Sequence, residues 1–469
     1  MSIGLSLPIS RIQDALSLRA NVSFWEYLNN RLPVILSSLR FPYVRFRDLI
    51  LSIRNGKDVS RSGYATEETD FVYLTVNNIK KEGLSFDKII YLKDEKGSDL
   101  SPKRLEEGDF IITRSGSVGV AHRFMPPDKK IYIPSGYLVV LRIDETKIDP
   151  AFLELYLKSR LALEFFQIHS SGKSQKNLSQ TDIRRFFVPL GSLPKTLYRK
   201  ITGFASYIRA LEMKIEEPVE IINRIFAREF GYSLEKYEKR AKQNRYQKAF
   251  TDLDKAFLLR TSIKFLHPKY DYLDEILSRH PWIKLKTLCA ERIHRGVQPK
   301  YDTDGEVLVV KTLNLKHEYL DFSEQERVTQ KFFEANRGAE IKKNDLLISS
   351  TGEGRGKVDI YDLEESAIAD THISIVRLKE TANPYYVLYF MRSLLGKLQL
   401  ETLEMAIKGT PEIYWHQLEQ MRIIDLPRKK QNLIVEEVRA ELQELQRQRA
   451  DIQRLRDKID EIFMKAITQ

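Results

Sequence analysis

The sequence predicts an α+β chain with an internal pseudo-twofold repeat. Two β-rich globular units are each followed by a long helix, and the two helices pair as an antiparallel coiled coil. Three observations carry this reading: ordered landmarks that recur half a chain apart, short strand-like apolar runs in both halves, and a heptad series that closes each half.

The landmarks keep one order. Leu18-Arg19 matches Leu259-Arg260 at an offset of 241, and Gly56 in IRNG matches Gly296 in IHRG at 240. VNNIK, with Asn78 and Lys80, matches TLNLK, with Asn314 and Lys316, at 236. EGDFIITRSGS around Asp109 matches KNDLLISSTGE around Asp345, also at 236. Arg142 in VVLRI matches Arg377 in SIVRL at 235, and DPAFLELYLKS with Pro150 matches NPYYVLYFMRS with Pro384 at 234. A drift of seven residues over six landmarks divides the chain into similar halves, 1–237 and 238–469.

Within each half the strands come first. FVYLTV, KIIYL, DFIITR and YLVVLRI, then EVLVVKTL, DLLISS and ISIVRL, are β-rich runs separated by Gly- and Asp-containing turns. Asp149-Pro150 and Asn383-Pro384 each open an amphipathic helix, with the acid or amide as N-cap and Pro at the first helical position.

The tails change character. Ile201, Ile208, Ile215 and Ile222 stand seven apart, as do Val438, Leu445, Ile452 and Ile459. A seven-residue apolar period calls for a partner helix along the seam. Pro218 interrupts the first seam, yet the heptad phase continues, so the expectation is a bend rather than an end. The resulting domains are 1–192 and 238–427, with helical spacers 193–237 and 428–469. At 1.5 Å per residue, Ile201 to Ile225 spans about 36 Å, close to one DNA turn.

Composition narrows the function. A chain of 469 residues implies about two to four domains. Lys plus Arg exceeds Asp plus Glu by 76 − 65 = 11, which favours a polyanionic partner, nucleic acid above all. The single cysteine, Cys289, excludes an intrachain disulfide, and no Cys/His cluster has zinc spacing. No apolar run approaches a membrane span, and the N-terminus, interrupted by Arg11 and Asp14 and lacking a basic start, does not read as a signal peptide. The cytoplasm is the expected compartment.

Candidate nucleic-acid contacts lie in polar loops at matched places. In the first half they are Lys57, Arg61 and Lys80, then Arg114, Ser115 and Ser117 in TRSGSVG, then Lys173, Ser174, Gln175, Lys176 and Asn177 in SSGKSQKN. In the second they are Arg295, Gln298 and Lys300 in IHRGVQPKY, Lys311 and Asn314, then Ser350, Thr351, Arg355 and Lys357 in SSTGEGRGK, and Lys408 and Thr410 in IKGTPEIYW. Glycine admits phosphate to backbone N–H groups. Arg and Lys read guanine, and Asn and Gln read adenine, in the major groove. Neither glycine loop is a Walker A or dinucleotide motif, because Lys357 is followed by Val358 and no GxGxxG joins a strand to a helix. NPYY at Asn383–Tyr386 looks like an adenine-methyltransferase motif, but its match DPAF starts a helix, so it reads as an N-cap. No nuclease cluster, metal-ligand His pair or Ser/His/Asp pattern emerges. The basic stretch 231–250 is either a solvated helix or a DNA-backbone contact.

The ordered set ITRSGSVG, YLVVLRI, DPAFLELYLKS and SGKSQKNLSQTDIRRFFVPL resembles the specificity subunit of type I restriction–modification systems. With the second-half forms ISSTGEGRG, ISIVRL, NPYYVLYFMRS and IKGTPEIYWHQLEQMRIIDLP, the resemblance covers essentially the whole chain. It implies two target recognition domains held apart by helical spacers, each reading one part of a bipartite target in double-stranded DNA. It implies a non-catalytic chain with no cofactor of its own, docking two methyltransferase subunits and restriction/translocase subunits that carry S-adenosylmethionine, ATP and Mg. Phage defence through DNA methylation follows. One departure is KGTPEIYW, which replaces the SGKSQKN loop in the second half. Two other readings stay open: an enzyme with an unrecognised methyltransferase or nuclease site, and a coiled-coil scaffold that binds protein.

Overall fold

The computed structural model describes residues 22–81, 83–86, 89–171, 176–243, 266–323, 325–352, 354–403, 405–407 and 410–468. Its contacts divide the chain into two units: Met1–Lys214 with Arg449–Gln469, and Ile215–Gln448.

The strands of the first unit are β1 (Tyr43–Arg45), β2 (Ile50–Asn55), β3 (Phe71–Leu74), β4 (Ile90–Tyr91), β5 (Phe110–Thr113), β6 (Ala121–Arg123), β7 (Ile131–Pro134), β8 (Leu138–Ile143) and β9 (Phe187–Pro189). They form the sheet β2-β8-β5-β6, the sheet β4-β3-β7 and the ribbon β1-β9. β5 is buried on both faces, as a central strand must be when both faces are covered. Its alternation assigns the layers. Phe110 and Ile112 pack with the helices α1 (Pro150–Lys158) and α2 (Arg160–His169), while Ile111 packs with Val72, Leu74 and Tyr132 of the smaller sheet. The third long helix of this unit is α3 (Lys195–Glu212).

The second unit adds helices α4 (Pro218–Phe230), α5 (Leu234–Ala241) and α6 (Pro268–Leu277) before its strands. These strands are β10 (Trp282–Lys284), β11 (His294–Arg295), β12 (Val307–Val310), β13 (Glu326–Val328), β14 (Glu340–Ile341), β15 (Leu346–Ser349), β16 (Val358–Ile360), β17 (Ala367–Ala369), β18 (Ile373–Val376), β19 (Met405–Ile407), β20 (Thr410–Glu412) and β21 (Arg422–Ile424). The main sheet is β11-β18-β15-β16, beside β13-β12-β17-β14 and the ribbons β10-β21 and β19-β20. Leu346 and Ile348 face helices α7 (Pro384–Arg392) and α8 (Leu394–Leu403), and Leu347 faces the other sheet.

Several sequence landmarks turn out to be framework. Arg142 donates Nε and Nη2 to buried Asp109 at 3.0 and 2.7 Å, and Arg377 does the same to buried Asp345 at 2.9 and 2.7 Å. Asp149 Oδ1 accepts from the Ala151 N–H at 2.9 Å and Asn383 Oδ1 from the Tyr385 N–H at 3.0 Å, so NPYY is a helix N-cap.

The last helix, α9 (Arg428–Ile467), supplies residues to both units. In the first, Ile201 of α3 shares a core with Ile459, Phe463 and Ile467, and Arg456 pairs with Glu212 at 2.5 Å. In the second, Ile222 and Ile225 of α4 pack with Val438 and Leu445, with Ile215 at the margin. There Arg228 meets Glu437 at 2.5 Å and Glu229 meets Lys430 at 2.7 Å, partners that run in opposite order. Ile208 and Ile452 are also buried.

One expectation is corrected. The first spacer does not bend at Pro218; it ends at Glu212 and a new helix begins with Pro218 at its first position. Glu217 caps the new N-terminus reciprocally with Glu220, so the missing proline N–H falls where no helical partner is needed. Of the basic stretch 231–250, α5 is a helix whose Lys236 and Arg240 reach Glu275 of α6 at 3.2 and 2.6 Å. Residues 244–250 lie outside the described residues. Among the described residues no helix is long and apolar enough to cross a membrane.

Candidate nucleic-acid interface

In the first unit, four segments meet at the end of the main sheet where β2 stops and β8 starts. Gly56 lies flat against the segment that leads into β8: a Cβ there would stand 2.2 Å from Ser135 O. Its N–H donates to Leu138 O at 2.9 Å, and Lys57 N–H to Pro134 O at 2.9 Å. After β5 the chain turns through Gly116 (φ +76°) and Gly119 (φ +88°). A Cβ on Gly119 would fall 2.7 Å from Phe166 Cβ, which pins the turn to α2. The segment after α2 is stitched to this turn: Leu178 N–H donates to Arg114 O at 2.8 Å, and Arg114 Nε to Asn177 Oδ1 at 3.1 Å. Gln180 Nε2 then donates to Asn55 Oδ1 at 3.0 Å. The junction thus gathers Asn55, Lys57, Arg114, Asn177 and Gln180 beside the exposed ring of Tyr137, with Lys176 next in the chain.

The second unit builds an equivalent junction from different side chains. A Cβ on Gly296 would meet Ala369 O at 2.1 Å; its N–H donates to Ile373 O at 3.1 Å, and Val297 N–H to Ala369 O at 3.0 Å. Gly352 and Gly356 turn the chain after β15, at φ +77° and +79°. Ile413 N–H donates to Ser350 O at 3.0 Å, the counterpart of Leu178 on Arg114. Here an acid enters: Arg295 donates to Glu412 Oε1 at 2.5 Å and to Ile413 O at 3.0 Å, beneath the Tyr414 ring. Thr351 Oγ1 and His372 Nδ1 lie 2.8 Å apart.

The expected contacts divide accordingly. Lys57, Ser117, Lys176, Asn177, Gln298 and Lys300 are exposed, as are Arg61 and Lys80 on separate turns. Arg114, Arg295, Thr351, Arg355 and Lys357 are half-buried at the junctions, and Lys311 pairs with Glu326 at 2.7 Å. Lys173, Ser174, Gln175 and Lys408 lie outside the described residues; Thr410 is in β20.

Three expectations are corrected. Asn314 is buried and spends its amide on Lys311 N–H (2.8 Å) and Asp321 O (2.8 Å), as Asn78 does with Thr75 and Ser85. Ser350 is buried with its Oγ 2.8 Å from Ser374 Oγ, and Ser115 is buried as well. None of the three presents its side chain outward. Asn55, Tyr137, Gln180, His372 and Glu412 escaped the sequence reading. The landmark offsets contained a signal: Asn55 and Arg295 each precede the matched glycine, and Tyr137 and His372 stand 235 apart, each just before the matched runs LVV and ISIV.

Below each junction, the strand after the glycine turn carries an inward ionisable residue. In the first unit it is His122, whose pKa burial pushes down, beside Glu154 at 3.8 Å. In the second it is Asp359, which pairs with buried Arg392 and accepts from the His317 N–H at 2.9 Å. Burial pushes Asp359 up to about 6 against the pull of Arg392. Burial, then the charges of Arg392, Lys357 and Lys397, pushes His317 down to about 4. Among the described residues no His/Cys/Asp/Glu group has the makings of a metal site.

No family model matches the chain, and no curated protein matches it. Similar solved structures include a chain from work on complex assembly and conformational transition of the type I R-M system, 16% identical, covering 91% of this chain and 97% of that chain, TM-score 0.40. Another is the type I restriction-modification S subunit from M. genitalium, 13% identical over 94% and 98%, TM-score 0.38. A third is the HsdS subunit from Thermoanaerobacter tengcongensis, 18% identical over 91% and 96%, TM-score 0.29.

Proposed function

We propose that this chain is the DNA sequence-recognition subunit of a type I restriction–modification complex, with each unit reading one part of a bipartite target. The observation that carries the reading is the doubled junction. One framework of glycine contact, glycine turn and stitched segment recurs, and it presents different side chains each time. A shared frame with exchanged tips suits a reader of two unlike half-sites, since frame contacts position and side-chain tips specify. The landmark residues and matching sheet orders support a duplicated origin for domains 1–192 and 238–427. The apolar seams of 193–237 and 428–469, with their ion pairs, support an antiparallel coiled coil between the spacers.

In this reading the chain carries no catalytic group. It docks two methyltransferase subunits and restriction/translocase subunits in the cytoplasm, and S-adenosylmethionine, ATP and Mg belong to those partners. The test is reconstitution. Adenine methylation of a specific split sequence is expected only when methyltransferase subunits are added, and methylation by the lone chain overturns the reading.

A point substitution probes one half-site. Asn177→Ala frees Arg114 from its 3.1 Å partner. Selection from random duplexes is expected to show relaxed base choice in one half-site only, by about 1–3 kcal/mol, roughly fivefold to 150-fold, for a lost bidentate contact.

A further inference from the structure

An arginine-rich surface lies beside the first junction, and none of its arginines is among the candidate contacts above. β1 and β9 pair so that Arg45 stands opposite Phe187. The Arg45 guanidinium lies 3.8 Å over the Phe187 ring and donates to Arg185 O at 2.7 Å, while the Tyr43 ring packs edge-on to Phe187 at 5.4 Å. Arg47 and Arg184 are exposed on the neighbouring turns. Among the described residues the one ion pair within this group is Arg47 with Asp48, at 3.4 Å between exposed side chains. Burial, then the like charges of Arg47 and Arg185, lowers the Arg45 pKa, with Asp48 opposing them.

The chain ties this patch to the junction. Gln180, bonded to Asn55, opens the short helix Gln180–Arg184, so Arg184 follows it by one turn, about 6 Å along the axis. The major groove is about 12 Å wide, so a junction seated in it has phosphates about 6 Å to either side. The equivalent ribbon of the second unit is only partly alike: Lys284 and Lys286 stand where Arg45 and Arg47 do, while Glu419 stands where Arg184 would be and Arg422 pairs with Asp274 of α6 at 2.5 Å.

We propose that Arg45, Arg47, Arg184 and Arg185 grip the DNA phosphates flanking the half-site read by the first unit. This rests on the DNA-reading function above. The chemistry fits: guanidinium forks match phosphate, and the stacked Phe187 holds one of them in place.

The test is a salt titration of the full chain, alone and with methyltransferase subunits, on a random-sequence duplex. Arg47→Ala/Arg184→Ala is expected to reduce the slope of log affinity against log salt by about 1.8, at 0.9 per phosphate contact. Arg422→Ala is expected to leave the slope unchanged. An unchanged slope in the double variant, with salt-sensitive binding by the parent chain, overturns the phosphate grip alone. The same result with loss of methyltransferase capture reassigns the patch to a protein partner and also overturns it. No binding by the parent chain in either form overturns both the grip and the DNA-reading function. Circular dichroism of the double variant confirms folding, since both arginines are exposed.

Discussion

Arg392→Met is expected to destabilise the second unit by about 3–5 kcal/mol, the usual penalty for leaving one member of a buried ion pair unpaired. The side chains of Arg392 and Asp359 are 7% and 1% exposed, so water cannot replace the lost partner. The substitution also strips the donor that Arg392 Nε gives Val358 O at 2.9 Å, within β16.

The pH dependence gives the sign. Asp359 sits near 6, above its unfolded value of about 3.9. Its stabilising contribution is therefore complete below about pH 4 and is lost as pH rises through 6. His317, near 4 against an unfolded value of about 6.5, behaves oppositely: its contribution is present above 6.5 and lost as pH falls toward 4. In the parent protein the two trends offset each other across one window. Removing Arg392 pushes Asp359 higher and relieves His317, so the variant's stability falls as pH rises. Chemical denaturation of the second unit at pH 5 and pH 8 reads this directly, and Arg392→Met/Asp359→Asn is expected to recover most of the loss at pH 8. Equal losses for the single variant at both pH values would sink the electrostatic account.

Gly56→Ala and Gly296→Ala are expected to cost roughly 2–3 kcal/mol each, the upper range for overpacking, because the added methyl meets backbone rather than a mobile side chain. The methyl would stand 2.2 Å from Ser135 O in one unit and 2.1 Å from Ala369 O in the other. Those carbonyls cannot retreat without breaking the hydrogen bonds that Gly56 and Gly296 make across the same gap, at 2.9 and 3.1 Å. The damage lands on the junction, so each variant should weaken recognition of its own half-site while leaving the other intact. Gly203→Ala is the contrast: nothing lies within 4 Å of that position in α3, so the gain is about 0.5–1 kcal/mol from helix propensity. Thermal unfolding of the three variants separates steric contact from a general intolerance of glycine replacement.

Much of the frame was legible in the linear chain. Strand runs such as DFIITR announce themselves because a strand buried on both faces must be apolar throughout. Asp149-Pro150 and Asn383-Pro384 signal helix starts through local capping chemistry alone. The offsets exposed Asp109 with Arg142, and Asp345 with Arg377, as matched positions, though not that each acid holds its arginine.

The exposed chemistry was less legible, for a physical reason. Asn314 and Ser350 have the composition of a DNA contact, yet one amide closes its own loop and one hydroxyl meets Ser374 across the sheet. Hydrogen-bonding capacity belongs to the residue, but its direction belongs to the fold.

The sequence by itself determined the strands, the helix starts, the half-chain spacing of the landmarks and the heptad seams, because each depends on neighbours within a few residues or on a simple period. Only the tertiary structure decided which polar tips converge. Asn55 finds Gln180 across 125 positions and Arg295 finds Glu412 across 117. It also decided that Pro218 begins a helix instead of bending one, since reciprocal capping by Glu217 and Glu220 stabilises a fresh N-terminus where a continuous helix would lose a hydrogen bond.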